Sequence, residues 1–195
     1  MPTYAPRVFT PDLPILTERL ALRAIRTTDL DVYAELNTIP EVVRYLYWDV
    51  LSREESAHKL SRIVGRTGFA SEGDSVVFAV DLRETGEMIG DVVLVWTSTA
   101  HQSGEVGYVI HPCHARRGYA TEATRALLTL GFEALALHRI VARADARNTS
   151  STRVMENLGM RREALLRQNE WVKGEWTDEV VYAILEDEWR AQADG

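Results

Sequence analysis

The hydrophobic pattern changes its period within one stretch, residues 104–131, which reads GEVGYVIHPCHARRGYATEATRALLTLG. Val106, Tyr108 and Ile110 alternate with their neighbours, which predicts a buried β-strand, and Pro112 ends it because proline has no N–H for a ladder. Beyond the loop, small or apolar residues recur at helical spacing, at Ala120, Ala123, Leu127, Leu130, Gly131 and Ala134. A strand, a basic loop and a helix therefore follow one another, with one stripe of the helix buried against a sheet.

The turn between this strand and this helix is suited to binding an anion. The first N–H groups of a helix have no intrahelical partner, and the macrodipole adds about half a positive charge there. Gly118 allows close approach of a ligand, and Arg116 and Arg117 add positive charge. We therefore expect a phosphate or pyrophosphate here, although an ordinary strand-to-helix connection with surface arginines would have the same composition.

Two familiar phosphate loops are excluded by their spacing. No Gly-Lys-Ser or Gly-Lys-Thr follows the loop, so it is not a Walker A sequence, and it lacks the three glycines of the dinucleotide fingerprint.

His111, Cys113 and His114 lack the spacing of a structural zinc site, and we expect no metal.

Size and composition predict one domain. The chain has 195 residues and is 46% hydrophobic, enough for a single core over residues 18–195, after a proline-rich arm at residues 1–17. A net charge of -7 argues against nucleic-acid binding. There is no apolar run of about 18 residues and no apolar leader, and one cysteine cannot form an internal disulfide, so we expect a cytoplasmic protein without membrane contact.

The periodicity along the chain predicts an element order of β, α, α, α, β, β, β, α, β, α, β, β and a last turn of helix. The strand at 138–145 should lie parallel to the central strand, because a helix crosses between them. Ser52 and Glu55 form a capping box for the third helix, and Gly159 ends the helix at 148–158. Residues 161–185 should form two strands around a turn at Lys173-Gly174, and residues 186–193 the final helical turn.

The run from Arg117 to Ala123, RGYATEA, resembles motif A of the GNAT superfamily of acyl-CoA-dependent N-acetyltransferases, [QR]-x-x-G-x-[GA]. Ala115 stands where that signature has Gln or Arg, which leaves the backbone donors intact. Within the superfamily the chain is similar to the Rim-type branch of ribosomal-protein N-terminal acetyltransferases, over nearly its whole length. The residues that carry this similarity are 17–23 (TERLALR), 45–48 (YLYW), 104–108 (GEVGY), 148–160 and 167–171 (RQNEW).

The resemblance implies the GNAT acyl-CoA N-acyltransferase fold, of α/β (α+β) class, with a mixed central sheet of about seven strands. It implies a splayed parallel pair of strands, flanking helices and acetyl-CoA as the acyl donor. The pyrophosphate would bind the N–H groups of Arg116, Arg117, Gly118, Tyr119, Ala120 and Thr121. The pantetheine arm would pair with the backbone at Val109 and Ile110 and with Asn148, although Asn148 could equally be only a helix cap.

The resemblance also implies two candidate bases and one candidate acid. Glu170 is favoured as general base and Glu105 is the second candidate, although either could be a solvated carboxylate at a strand end. Ser151 would protonate the departing thiolate or merely help to cap a helix. Met155 occupies the position at which other N-terminal acetyltransferases carry a tyrosine, so that role does not transfer.

The predicted activity is direct transfer of an acetyl group from acetyl-CoA to a primary amine, by branch resemblance a protein N-terminal α-amino group. Tyr45, Trp48 and Tyr108 are the candidate acceptor-binding residues, with core packing as the alternative for the first two. A small amine (amino acid, polyamine or aminoglycoside) and a non-catalytic acyl-CoA-binding regulatory module remain open. A homodimer is the default expectation.

Overall fold

A mixed sheet of eight strands forms the centre of the molecule in the computed structural model, which describes residues 9–193. The strands lie in the order β1-β2-β3-β4-β5-β6-β8-β7. Their bounds are β1 Ile15–Leu16, β2 Leu20–Ala24, β3 Ser75–Leu82, β4 Met88–Ser98, β5 Ser103–Ile110, β6 Arg139–Asp145, β7 Arg161–Val172 and β8 Glu175–Leu185. The helices are α1 Leu30–Thr38, α2 Pro40–Val43, α3 Arg53–Ser61, α4 Tyr119–Thr129, α5 Thr149–Asn157 and α6 Glu186–Ala193. The predicted element order is confirmed from β2 to α6.

The first strand lies inside the predicted arm. Ile15 pairs antiparallel with Leu22 and Leu16 with Ala21, so the sheet gains an eighth strand beyond the seven expected. A strand of two residues carries no alternation that a sequence pattern could show. The rest of the arm up to residue 8 lies outside the described residues.

The strands β5 and β6 are parallel, as predicted, and they separate soon after they meet. Their pairing runs only from Ser103 to Glu105, opposite Arg139 to Val141. Beyond Glu105, β5 remains paired with β4 as far as Ile110, while β6 remains paired with β8 as far as Asp145. A wedge-shaped gap therefore opens between the two central strands towards the N-terminus of α4.

Helices cover both faces of the sheet. The larger core lies between the sheet and α4 and α5, and its fully buried side chains include Leu22, Phe78, Leu94, Leu127, Ile140 and Met155. A smaller core on the opposite face joins α1 and α3 to the sheet through Ile25, Tyr33, Leu60, Ala79 and Met88. No helix within residues 9–193 has the length and apolar character that crossing a membrane requires.

Several local predictions are confirmed in detail. The Ser52 hydroxyl accepts a hydrogen bond from the Glu55 N–H while the Glu55 carboxylate accepts one from the Ser52 N–H. Gly159 has a φ of +76°, as a residue that ends a helix should, and the Lys173-Gly174 turn has both φ angles positive. Met155 is only 1% exposed, so it is a core residue. The helix after α4 widens into a π turn at Leu130–Ala134, which the sequence pattern did not indicate.

Candidate active site

The N-terminus of α4 presents a row of free backbone donors. Arg116 and Gly118 both have left-handed backbone conformations, with φ of 61° and 80°. None of the N–H groups from Arg116 to Thr121 donates a hydrogen bond to the described part of the chain; the first that does is Glu122, to the Gly118 carbonyl at 2.9 Å. The side chains of Arg116 and Arg117 are exposed and form no ion pair within residues 9–193. We call residues 116–121 the cradle; it fits a pyrophosphate.

The connection between β1 and β2 holds the cradle in place. The Thr17 hydroxyl donates to Glu122 at 2.6 Å, the Arg19 N–H at 2.7 Å and the Arg19 Nε at 2.6 Å. The Arg19 Nη1 also donates to the Arg117 carbonyl at 2.9 Å. Burial would raise the pKa of Glu122, but the hydrogen bonds from Thr17 and Arg19 outweigh it and hold the pKa below its usual value.

Sequence reasoning used the TERLALR run only as a mark of resemblance and missed this contact. The sequence contains both Thr17-Glu18-Arg19-Leu20 and Glu122, but nothing in their spacing indicates that they are in contact. We call Thr17, Arg19 and Glu122 the cradle lock.

The gap exposes the backbone of alternate residues of β5. The His111 N–H donates to the Ile89 carbonyl at 2.8 Å, so in an antiparallel ladder the polar groups of Val109 also face β4. The polar groups of Tyr108 and Ile110 then face the gap. Of the two backbone positions expected to pair with pantetheine, Ile110 has its polar groups directed to the gap and Val109 has them directed to β4.

The first turn of α5 borders the gap from the other side. The Asn148 side chain accepts a hydrogen bond from the Ser151 N–H at 3.1 Å, so it caps the helix. The Asn148 amide N–H₂ makes no hydrogen bond within the described residues and is free to bind a ligand. Capping and ligand binding are therefore compatible, as expected.

Tyr108 lies on the side of the gap that α5 borders. Its hydroxyl is 2.8 Å from the Ser151 Oγ and 2.9 Å from the Ser151 carbonyl oxygen. The expectation that Tyr108 contacts the acceptor does not agree with this placement, because side chains alternate along β5 and Tyr108 shares the face of Val106, opposite to Glu105.

Three carboxylates converge on the opposite face of the gap. Glu105 lies 3.3 Å from the Arg143 Nε, and the Arg143 Nη1 lies 3.2 Å from Glu179, which is only 3% exposed. Tyr47 donates to Glu179 at 3.2 Å. Burial raises the pKa of Tyr47 to about 12, and the negative charges of Glu179, Glu170 and Glu105 raise it further.

Glu105 and Glu170 differ in their surroundings. Burial raises the pKa of Glu105 above its usual value, although Arg143 partly lowers it. Glu170 lies on the β7–β8 hairpin opposite Thr177, and its carboxylate accepts a hydrogen bond from Asn169 at 3.2 Å. The same Asn169 amide also donates to Glu179 at 3.1 Å. Glu179 was missed by sequence reasoning, because a lone glutamate within a strand has no distinguishing pattern.

A narrow cavity of about 30 Å³ lies beside Glu179 and Glu170. Its charged lining comprises five acids, Asp145, Glu170, Glu175, Asp178 and Glu179, and three bases, Arg44, Arg147 and Lys173. Tyr45 and Tyr47 complete one wall. The Lys173 ammonium donates to the Val43 carbonyl, which ties the β7–β8 turn to α2.

Trp48, predicted to bind the acceptor, instead makes intramolecular contacts. Its Nε1 donates to the Asn37 side chain at 2.9 Å, and the Lys59 ammonium lies 2.9 Å from the centre of its ring. Burial lowers the pKa of Lys59 to about 8, and burial raises the pKa of the nearby Asp91 to about 6. Trp48 thus joins α1 to α3, whereas Tyr45 and Tyr47 face the cavity.

The histidines of the loop serve local contacts. The His111 Nδ1 accepts a hydrogen bond from the Cys113 N–H at 3.2 Å, and the His114 Nε2 lies 3.3 Å from Glu87. Within residues 9–193 no group of three or more His, Cys, Asp or Glu residues is arranged to hold a metal ion.

Comparison with known proteins identifies the family. Residues 19–161 match the model of the acetyltransferase (GNAT) domain family. The chain is 34% identical over 176 residues to the uncharacterized N-acetyltransferase YnaD of Bacillus subtilis, covering 90% of this chain and 98% of that one. A crystal structure of a GNAT-family acetyltransferase from Bacillus anthracis is 33% identical, with a TM-score of 0.80, over 89% of this chain and 99% of the other.

Relatives named for two kinds of acceptor are also found. YdaF of Bacillus subtilis, provisionally named a ribosomal N-acetyltransferase, is 32% identical over 107 residues, 55% of this chain and 58% of its own. The spermidine N(1)-acetyltransferase of Escherichia coli K12 is 23% identical over 171 residues, 88% of each chain. The matched domain, the mixed sheet with its splayed pair and the cradle agree: the chain belongs to the GNAT family of acetyltransferases and is an enzyme that takes its acetyl group from acetyl-CoA.

Proposed function

We propose that this enzyme acetylates the N-terminal α-amino group of a protein, of the ribosomal-protein type, by direct attack of the amine on the thioester. The observation that carries the proposal is the mixed charge of the cavity beside Glu179. Arg147 is ion-paired with Asp145 and Glu175. The remaining carboxylates of the lining, those of Glu170, Asp178 and Glu179, attract an ammonium group, and the positive charges of Arg44 and Lys173 oppose a polycation. The YdaF relative, by its name, supports the same acceptor class.

The size of the cavity supports a chain end rather than a whole small molecule. A volume of about 30 Å³ holds one amino group and little more, so the rest of the acceptor must remain at the surface. Tyr45 lines the wall there, and Tyr47 is 61% exposed although its hydroxyl is bonded to Glu179. Both rings can pack against the first residues of a peptide.

Each proposed contact with CoA uses a polar group that has no hydrogen-bond partner within the described residues. The N–H groups of Arg116, Arg117, Gly118, Tyr119, Ala120 and Thr121 would hold the pyrophosphate, with the two arginine side chains adding charge. The backbone of Tyr108 and Ile110 would pair with pantetheine across the gap, and the free Asn148 amide would bind the same arm.

We propose Glu105 as the general base, in place of Glu170, which the resemblance favoured; Glu170 is then the carboxylate that attracts the acceptor ammonium. Glu105 is the last residue of β5 that pairs with β6, so it stands where the gap begins. Its raised pKa brings it nearer to neutral pH, which suits proton transfer from an α-amino group whose ordinary pKa is about 7.7–8.0. Ser151, on the other side of the gap, is the proposed hydrogen-bond donor to the departing sulfur.

A free-thiol release assay tests the acceptor class. Peptides with a free N-terminus should support turnover, and the same peptides with a blocked N-terminus should not. Spermidine, free amino acids and an aminoglycoside should give kcat/KM at least about 10-fold lower, the loss that corresponds to roughly 1.4 kcal/mol. The proposal is wrong if spermidine is the best acceptor, and the polyamine activity named for the Escherichia coli relative then takes its place.

We also propose a cytoplasmic homodimer. An exposed free thiol, Cys113, is stable in a reducing compartment. The edge strand β7 is twelve residues long and exposes Leu165 and Leu166, and Trp171 and Trp176 are exposed at the hairpin tip. A long edge with apolar side chains favours pairing with a second copy. A monomer in light scattering at micromolar concentration would exclude the dimer.

A further inference from the structure

Tyr108 and Ser151 form an isolated pair of hydroxyl groups at the wall of the gap. The Tyr108 oxygen lies 2.8 Å from the Ser151 Oγ and 2.9 Å from the Ser151 carbonyl oxygen. Within residues 9–193 neither hydroxyl makes another hydrogen bond. Burial raises the pKa of Tyr108 to about 12, against a smaller lowering by Ser151, so the phenol keeps its proton at neutral pH.

The number of protons in this pair restricts how it can be arranged. A carbonyl oxygen can only accept, so the 2.9 Å contact uses the phenol proton. The 2.8 Å contact must then use the Ser151 proton, donated to the phenol oxygen. In this arrangement the Ser151 O–H points at Tyr108 and is not available to a ligand in the gap.

A second arrangement exists with the heavy atoms unmoved. Because both Ser151 oxygens are within 3 Å of the phenol oxygen, the phenol O–H can turn from the carbonyl to the Oγ. The Ser151 O–H is then free to point into the gap. A hydroxyl that accepts one hydrogen bond donates a stronger one, because hydrogen bonds linked in series polarise one another.

We propose that Tyr108 is a positioning residue that turns Ser151 into a hydrogen-bond donor for the thiolate released from acetyl-CoA. This rests on the proposed role of Ser151. As the amine nitrogen bonds to the carbonyl carbon, the carbon–sulfur bond breaks and its electron pair stays on sulfur. The Ser151 O–H donates a hydrogen bond to that sulfur without losing its proton, and the proton of the amine passes to Glu105. Tyr108 itself does not touch the reacting atoms.

The test uses the pKa of the thiol of bound CoA, which does not depend on the acceptor and so separates this inference from the acceptor proposal. The thiolate is followed by its ultraviolet absorbance as the pH is raised. The titration is done on four proteins: wild type, Tyr108→Phe, Ser151→Ala and the double variant. Tyr108→Phe should raise the thiol pKa by about half a unit or more, and should add nothing in the Ser151→Ala background. An unchanged thiol pKa in Tyr108→Phe, or equal effects in both backgrounds, overturns the inference.

Turnover gives a second readout. Tyr108→Phe should lower kcat about 10-fold with KM for acetyl-CoA within about two-fold of wild type, the pattern of an interaction used only in the transition state. Tyr182→Phe is the matched control, because it removes a hydroxyl bonded to Glu156 at 3.1 Å, outside the site. If Tyr108→Phe does not fold, 3-fluorotyrosine at position 108 keeps the hydroxyl and makes it a stronger donor. It should lower the thiol pKa, and no change would contradict the inference.

Discussion

At the scale of single residues, the site depends on which carboxylate accepts the proton of the amine. The candidates Glu105 and Glu170 were identified from sequence, but Glu179 and Arg143, which connect to them, were not. A lone charged residue in a strand has no period or spacing that separates a site from a solvated surface. Only the folded sheet shows that Arg143 bridges Glu105 and Glu179.

The pH dependence of activity follows from this bridge. Burial raises the pKa of Glu105, whereas the positive charge of Arg143 lowers that pKa. The substitution Arg143→Gln should therefore raise the pKa of Glu105 further. A base must be deprotonated, so activity is lost as pH falls through this pKa, and the loss should begin roughly half to one pH unit higher in the variant. The measurement is the acid limb of kcat/KM against pH. Arg139→Gln is the control, because Arg139 lies on the same strand and pairs with Glu163.

An acid limb that does not move in Arg143→Gln would remove Glu105 as the base. The next variant to compare is then Glu170→Gln, which should lower turnover and leave acetyl-CoA affinity unchanged if Glu170 takes the proton.

At the scale of elements, the strand, loop and helix around Gly118 could be predicted because each has its own signal. Alternation marks β5, helical spacing marks α4, and a helix N-terminus binds anions wherever it occurs. The two-residue strand β1 and the π turn after α4 carry no such signal. The separation of β5 from β6 was expected only through family resemblance, because no local pattern encodes where a ladder stops.

The cradle lock gives a prediction at this scale. Glu122 accepts three hydrogen bonds from Thr17 and Arg19, and Arg19 also holds the Arg117 carbonyl. Glu122→Gln keeps the size of the side chain but weakens the charge-assisted bonds, so the affinity for CoA measured by calorimetry should fall about 5- to 10-fold. Gly118→Val, whose side chain would be strained at φ +80°, should lose binding altogether.

A matched control separates local from general effects. Glu163→Gln breaks an ion pair with Arg139 that lies away from the cradle, and it should leave CoA affinity unchanged. Equal losses in Glu122→Gln and Glu163→Gln would mean that the lock has no specific part in holding the cradle.

At the scale of the whole molecule, the sheet divides the site into two sides. The cradle, Asn148, Tyr108 and Ser151 belong to the side covered by α4 and α5, and Glu105, Tyr47 and Glu179 belong to the side of α1 and α2. The gap between β5 and β6 is the passage between them, so the thioester can meet an amine that arrives from the opposite face. This division could not be predicted from sequence, because it depends on which way alternating side chains face.

A crystal structure of the enzyme with CoA tests the central claim most directly. We predict the pyrophosphate within hydrogen-bond distance of the N–H groups from Arg116 to Thr121, and the pantetheine arm in the gap, paired with Tyr108 and Ile110. CoA bound elsewhere, or a pyrophosphate that contacts none of these N–H groups, would contradict the account.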